Sequence, residues 1–207
     1  RPNNNHTNEH LDSGSLLGEL ADDQLLPLLK GGVVLEMGPF LVRVQSDILD
    51  LSETLGLLYS QSKYRDNDPG DVIDFHITIK RTPGLRKWWQ KQALFILDGH
   101  SPFAPYPMDH AYPLFEWGLN WCIANRAHQY LMFHSAVVER NGQAIIMPAL
   151  PGSGKSTLCA ALMASGWRML SDEFGIIRLR DGMLLPMPRP IPLKNESIAV
   201  MQRFAPE

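Results

Sequence analysis

Residues 144–157 read Ala-Ile-Ile-Met-Pro-Ala-Leu-Pro-Gly-Ser-Gly-Lys-Ser-Thr. The apolar run Ala144–Ala149 predicts a strand. Pro151-Gly152-Ser153-Gly154 predicts a tight turn, and Lys155–Ser165, with Leu158, Ala161 and Leu162 on one face, predicts a helix. Strand, glycine turn and helix in that order have a specific chemistry. Glycines let successive backbone N–H groups turn inward around an anion with no Cβ in the way. The helix N-terminus adds its dipole. Lys155 would set an ammonium against the β- and γ-phosphates of a nucleotide, and Ser156 would give a hydroxyl to Mg²⁺. These six residues, 151–156, have the core of a phosphate-binding P-loop, and Thr157 extends the nucleotide-binding set. Ala149 stands where the strict pattern has its first glycine; it ends the strand, where a small residue suffices.

Downstream, Gly166 stops the helix and Trp167–Ser171 predicts another strand, leading into Asp172-Glu173. A ten-residue helix runs about 15 Å, and a five-residue strand returns by roughly the same length. Asp172 should therefore come back to the level of the turn, at the carboxyl edge of a parallel sheet, where open α/β folds bind ligands. There it could hold Mg²⁺ or take the proton of an attacking hydroxyl. Glu173, the next residue, should point away from it. Upstream, His134–Glu139 and the following strand are joined at Asn141-Gly142, a strong hairpin signal.

The rest of the chain is α+β in pattern. Residues 1–14 read as a disordered lead, and 15–30 as one or two short leucine-rich helices ended by Gly31-Gly32. Val33–Met37 and Phe40–Gln45 predict strands around Gly38-Pro39, followed by a helix from a cap at Asp47 to Tyr59. Residues 60–70 read as a loop. Val72–Lys80 alternates, with Ile73, Phe75, Ile77 and Ile79 on the inner face. Leu94–Leu97 is a second short strand, and 99–113 a proline-rich loop. Leu114–Tyr130 predicts a helix with Leu114, Trp117, Trp121 and Ala124 near one face. The expected organisation is an α+β N-terminal domain over 15–130, built on an antiparallel sheet. A smaller α/β nucleotide-binding domain over 131–207 follows, broken off before its sheet is complete; such a fragment should expose apolar surface.

Composition narrows the function classes. The 207 residues are 44% hydrophobic and 20% charged with net charge −3, an ordinary globular balance. No basic excess points to nucleic acid or an anionic membrane, and no run of 18 apolar residues or signal peptide is present, so the cytoplasm is the default. Residues 151–207 carry seven basic and five acidic side chains, against twelve and seventeen before them, a bias that suits an anionic ligand. Cys122 and Cys159 fall in apolar helical patterns and read as buried thiols. His100 and His110 lack the tight spacing of a zinc site. Trp88-Trp89 with Arg86, Lys87 and Lys91 reads as surface or packing rather than a base-stacking patch. Arg189 and Lys194, in a rigid proline-rich segment, are cations that could reach the γ-phosphate.

His134, the run Gly152–Ser156, Gly166 and Asp172-Glu173 together resemble the catalytic domain of HPr kinase/phosphorylase, a bacterial enzyme family that phosphorylates a serine of a carrier protein. The chain is more similar still to the HPr-kinase-related kinase A group. The shared segments are Gly38-Pro39-Phe40, Leu85-Arg86-Lys87-Trp88-Trp89, Glu116-Trp117-Gly118-Leu119-Asn120-Trp121-Cys122, Gly166-Trp167-Arg168 and Leu193-Lys194-Asn195-Glu196. The resemblance implies an ATP- and Mg²⁺-dependent kinase in which Gly152, Gly154, Lys155 and Ser156 bind the nucleotide and metal, Asp172 is the acid/base, and His134 sits near the transferred phosphate. It pairs Glu173 with Asp172 as a second acid beside the metal. It also implies a homo-oligomer completed by a signature beyond residue 207. Two positions depart from the true HPr kinases: Glu173 replaces an aspartate, and Leu150-Pro151 replace an acid and a small polar residue. Three functions share these residues: a kinase acting on a protein serine or a small hydroxyl-bearing acceptor, a nucleotide-dependent ATPase or switch, and a non-catalytic nucleotide-binding scaffold in a biosynthetic assembly.

Overall fold

Two sheets and the helices packed on them make up a mixed α/β structure. The computed structural model describes residues 15–205 apart from 22, 66–69, 84–90 and 151. The expected disordered lead, Pro151 of the turn and the Leu85–Trp89 segment therefore lie outside the described residues. In chain order the elements are β1 (Ser15–Leu16), α1 (Leu25–Gly31), β2 (Val33–Met37), β3 (Phe40–Ser46), α2 (Leu49–Leu58), β4 (Lys63–Arg65), β5 (Phe75–Arg81), β6 (Gln92–Leu97), β7 (Tyr106–Pro107) and α3 (Ala111–Arg126). They continue with β8 (Tyr130–Arg140), β9 (Gln143–Pro148), α4 (Lys155–Ala164), β10 (Arg168–Ser171), β11 (Phe174–Arg178), β12 (Leu184–Leu185) and α5 (Glu196–Phe204).

The first sheet has the order β1-β4-β2-β3-β5-β6-β7. The β2–β3 hairpin and the alternation of β5 follow the sequence pattern: Phe75, Ile77 and Ile79 are buried. The sheet is mixed rather than antiparallel, because β3 and β5 pair in parallel. Parallel neighbours need a long crossover, and α2 with the segment after it supplies one. Four local expectations are corrected. The 60–70 stretch contains β4, which pairs both β1 and β2. The 99–113 stretch contains β7, a 3₁₀ turn at Met108–His110 and the start of α3. Asp47 does not cap α2; the Ser46 hydroxyl instead accepts the Ile48 N–H at 3.1 Å. The helix read as Leu114–Tyr130 runs 111–126, and its buried face is Leu114, Phe115, Gly118, Leu119, Cys122 and Ile123, leaving Trp117 at 47% exposure. Gly118 sets that face: a Cβ there would lie 2.0 Å from the Phe95 ring, so α3 approaches β6 at its glycine.

The second sheet is organised by β8. Its distal half pairs β9 on one side and β10 on the other, both antiparallel. Its proximal half pairs β11, with Phe174 opposite His134. The Ser135 N–H donates to the Glu173 carbonyl at 3.2 Å, so β10 and β11 are one long partner of β8, bent at Asp172-Glu173. The strands before and after α4 are thus not adjacent members of a parallel sheet. They run in the same direction with β8 between them, and so still end at one edge. Gly166 (φ +86°) ends α4 in a Schellman motif, with the Trp167 N–H on the Leu162 carbonyl (3.0 Å) and the Gly166 N–H on that of Met163 (2.9 Å).

The main core joins α1–α3 and the first sheet to Ile176 and Met187, and so crosses residue 130. A smaller cluster of Ala136, Val138 and Cys159 packs α4 on β8. Cys122 and Cys159 are buried free thiols, and burial pushes them up to about 12 and about 11 respectively. Leu131, Phe133, Leu158, Ile198 and Phe204 are exposed. Among the described residues no helix is long and apolar enough to cross a membrane.

Candidate functional site

The turn between β9 and α4 is built on two left-handed glycines, Gly152 (φ +80°) and Gly154 (φ +88°). A Cβ at either would meet nothing within 4 Å, so backbone conformation, not crowding, asks for glycine there. The Ser153 N–H closes the turn on the Leu150 carbonyl at 3.2 Å, and Gly154 begins the helix by accepting the Leu158 N–H at 2.9 Å.

Lys155 and Ser156 open α4 and face different partners. The Lys155 ammonium donates to His134 Nε2 at 3.3 Å, and His134 Nδ1 lies 3.7 Å from Glu173 Oε2. The Ser156 hydroxyl donates to Asp172 Oδ2 at 2.8 Å. The site thus brings together Lys155, Ser156, His134, Asp172 and Glu173 from two elements, α4 and β8, and the bend between β10 and β11. Thr157 instead donates to Ser197 Oγ at 2.8 Å, which ties α4 to α5. Glu173 was expected to point away from Asp172. The bend between β10 and β11 interrupts the strand alternation, and both acids line one cleft.

Asp172 is 5% exposed, and its Oδ1 is buried with no hydrogen-bond partner among the described residues. Burial holds its carboxyl above the usual range; the Ser156 hydrogen bond and the Lys155 charge oppose that, Glu173 adds to it, and His134 opposes it. An orphaned carboxylate oxygen beside a hydroxyl is a donor set for a hard cation. Mg²⁺ is held in this way, by one or two side chains with water and substrate phosphates completing its shell. Among the described residues no group of three or more His, Cys, Asp or Glu is placed to hold a metal ion.

A cleft of about 420 Å³ opens beside the two acids. Its other walls are Tyr112, Pro113, Glu116, Trp117 and Asn120 of α3 and the Arg189–Lys194 segment. Arg189 is buried there and fixed on α3: one guanidinium nitrogen donates to Glu116 Oε2 at 3.1 Å and the other to Asn120 Oδ1. Tyr59 donates its hydroxyl to Glu116 Oε1, and burial with the Glu116 charge pushes its ionisation far up. Lys194 has no ion pair among the described residues. The α3 wall did not emerge from the site motifs. Its signal was the polar stripe Tyr112, Glu116 and Asn120 at four-residue spacing, on a helix read only for its apolar face. Comparison of the chain with protein-family models, with curated proteins and with solved structures finds no match.

Proposed function

We propose that the glycine turn and the N-terminus of α4 form a P-loop for the phosphates of a Mg²⁺–nucleotide, ATP, and that the chain is a kinase of the HPr-kinase-like type acting on a hydroxyl acceptor. The observation that carries the reading is the Ser156–Asp172 contact, with the second carboxylate oxygen buried and unpartnered, at the foot of a left-handed glycine turn. Nothing in an isolated core explains burying that oxygen, since an unpaired polar atom costs about 1–3 kcal/mol.

Lys155 would exchange its His134 contact for the β- and γ-phosphate oxygens, and the amides of 152–156 would cradle them. Ser156 and Asp172 would hold Mg²⁺, which when bound offsets charge on the phosphates. The acceptor oxygen bonds to the γ-phosphorus as the bond to the β,γ-bridging oxygen breaks, releasing ADP. The acceptor proton passes to a carboxylate lining the cleft, Asp172 when it does not ligate the metal. Isothermal titration with Mg²⁺–ATP tests the reading. Lys155→Ala should weaken binding at least about tenfold, because it withdraws a cation from several anionic oxygens. Equal affinity in the variant and the parent overturns it. Asp172→Asn divides the roles: a proton acceptor loses about 100-fold or more in turnover with ATP affinity kept within a few-fold, whereas a metal ligand loses affinity as well, most at low Mg²⁺.

A further inference from the structure

We propose that the cleft between α3 and the Arg189–Lys194 segment is the acceptor subsite, and that its ligand is a small hydroxy acid with a planar apolar body. The proposal rests on the kinase reading and adds the substrate class. Its volume of about 420 Å³ lies within the range of small-molecule pockets. A protein docking through a broad surface would not need such a recess. Asp172 and Glu173 are among its lining residues, so a hydroxyl bound here lies beside the carboxylates from which the proton acceptor is drawn.

The walls choose the rest of the ligand. Trp117 lines the cleft while 47% exposed, and its indole is backed by Phe103, with ring centroids 4.2 Å apart. A half-open indole packed at a tilt on Phe103 offers its remaining surface to a flat apolar group. Two cations line the same cleft, but Glu116 already neutralises Arg189. Lys194 is left as the exposed cation without an ion pair among the described residues, and an anionic group on the ligand would complete it. The Arg189 bonds to Glu116 and Asn120 fix the two walls before any ligand arrives.

The test uses 3-phenyllactate, which carries a ring, a hydroxyl and a carboxylate, titrated into the full chain with and without Mg²⁺–ATP. Binding is expected, weakened at least about fivefold by Trp117→Ala and by Lys194→Met, with Mg²⁺–ATP affinity unchanged in both and phenyllactate affinity unchanged in Lys155→Ala. Lys194 is exposed, so its variant keeps the test valid if Trp117→Ala fails to fold. ATP binding without phenyllactate binding, or phenyllactate binding indifferent to both wall variants, overturns the subsite and leaves the nucleotide reading standing. Loss of ATP affinity in Lys194→Met also overturns it, by moving that lysine to the phosphates. Phenyllactate binding through Trp117 and Lys194 in a chain that binds no ATP keeps the cleft and sinks the kinase. A serine-containing peptide that binds the cleft where phenyllactate does not overturns the small-molecule class.

Discussion

At the scale of single residues, Asp172 sets stability against function. Its carboxyl is raised by burial, so in the folded chain ionisation is harder than in the unfolded one. A raised carboxylate costs nothing below its unfolded pKa, and the full penalty is present above its folded pKa. Asp172→Asn removes the charge and keeps the shape, with an amide that can still meet Ser156. At pH 7, where the buried charge is present, the variant should melt higher than the parent. The advantage should shrink as pH falls to about 4, the ordinary carboxylate range. Thermal melts across pH check this; a variant that melts lower at pH 7 would show that the charged Ser156 hydrogen bond outweighs burial. Gain in stability with loss of turnover is the pattern of a site group kept for chemistry.

At the scale of elements, the seat of α3 on β6 rests on Gly118. By helix propensity alone, Gly118→Ala should stabilise by about 1 kcal/mol. Packing decides otherwise, because the added Cβ would fall 2.0 Å from the Phe95 ring in a core where that ring is fully buried. Overpacking of this kind costs about 1–3 kcal/mol. Gly118→Ala should therefore lower the unfolding free energy in urea, and since α3 forms one wall of the cleft, weaken ligand binding there too. Unchanged stability would mean that α3 moves out freely. The same glycine explains why the helix face differed from expectation: apolar spacing favoured Trp117, but the closest approach belongs to the residue without a side chain.

At the scale of the whole molecule, Arg189 is the joint between the α3 wall and the segment that follows the second sheet. It is 8% exposed and charge-paired to Glu116, which also accepts from Tyr59. Arg189 is buried and Glu116 half-buried, so removing the arginine leaves a carboxylate that solvent reaches in part, at a cost of about 2–3 kcal/mol. Arg189→Ala should lower stability by about that amount, measured by denaturant unfolding. Asn120→Ala, which removes one neutral acceptor from the same guanidinium, should cost less. Equal effects would argue that the charge pair contributes nothing beyond a neutral hydrogen bond. The 15–130 and 131–207 segments are thus joined by a core through Ile176 and Met187 as well as by this pair.

The sequence determined what rests on local chemistry. Left-handed glycines at 152 and 154, the helix from Lys155, the Gly166 stop, the Asn141-Gly142 hairpin and the alternation of β5 all follow from backbone conformation and side-chain period, which neighbours in the chain suffice to set. It also brought Lys155, Ser156 and Asp172 to one level, since a helix and a returning strand have fixed rises. Tertiary structure decided the rest. Strand adjacency depends on pairing across long stretches of chain, so only the fold shows β8 lying between β9 and β10. Only the bend at 172–173 brings Glu173 to the side of Asp172. And the far wall of the cleft, with Glu116 holding Arg189 across 73 positions, exists because two distant segments bury their polar groups against each other, a partnership that no local pattern records.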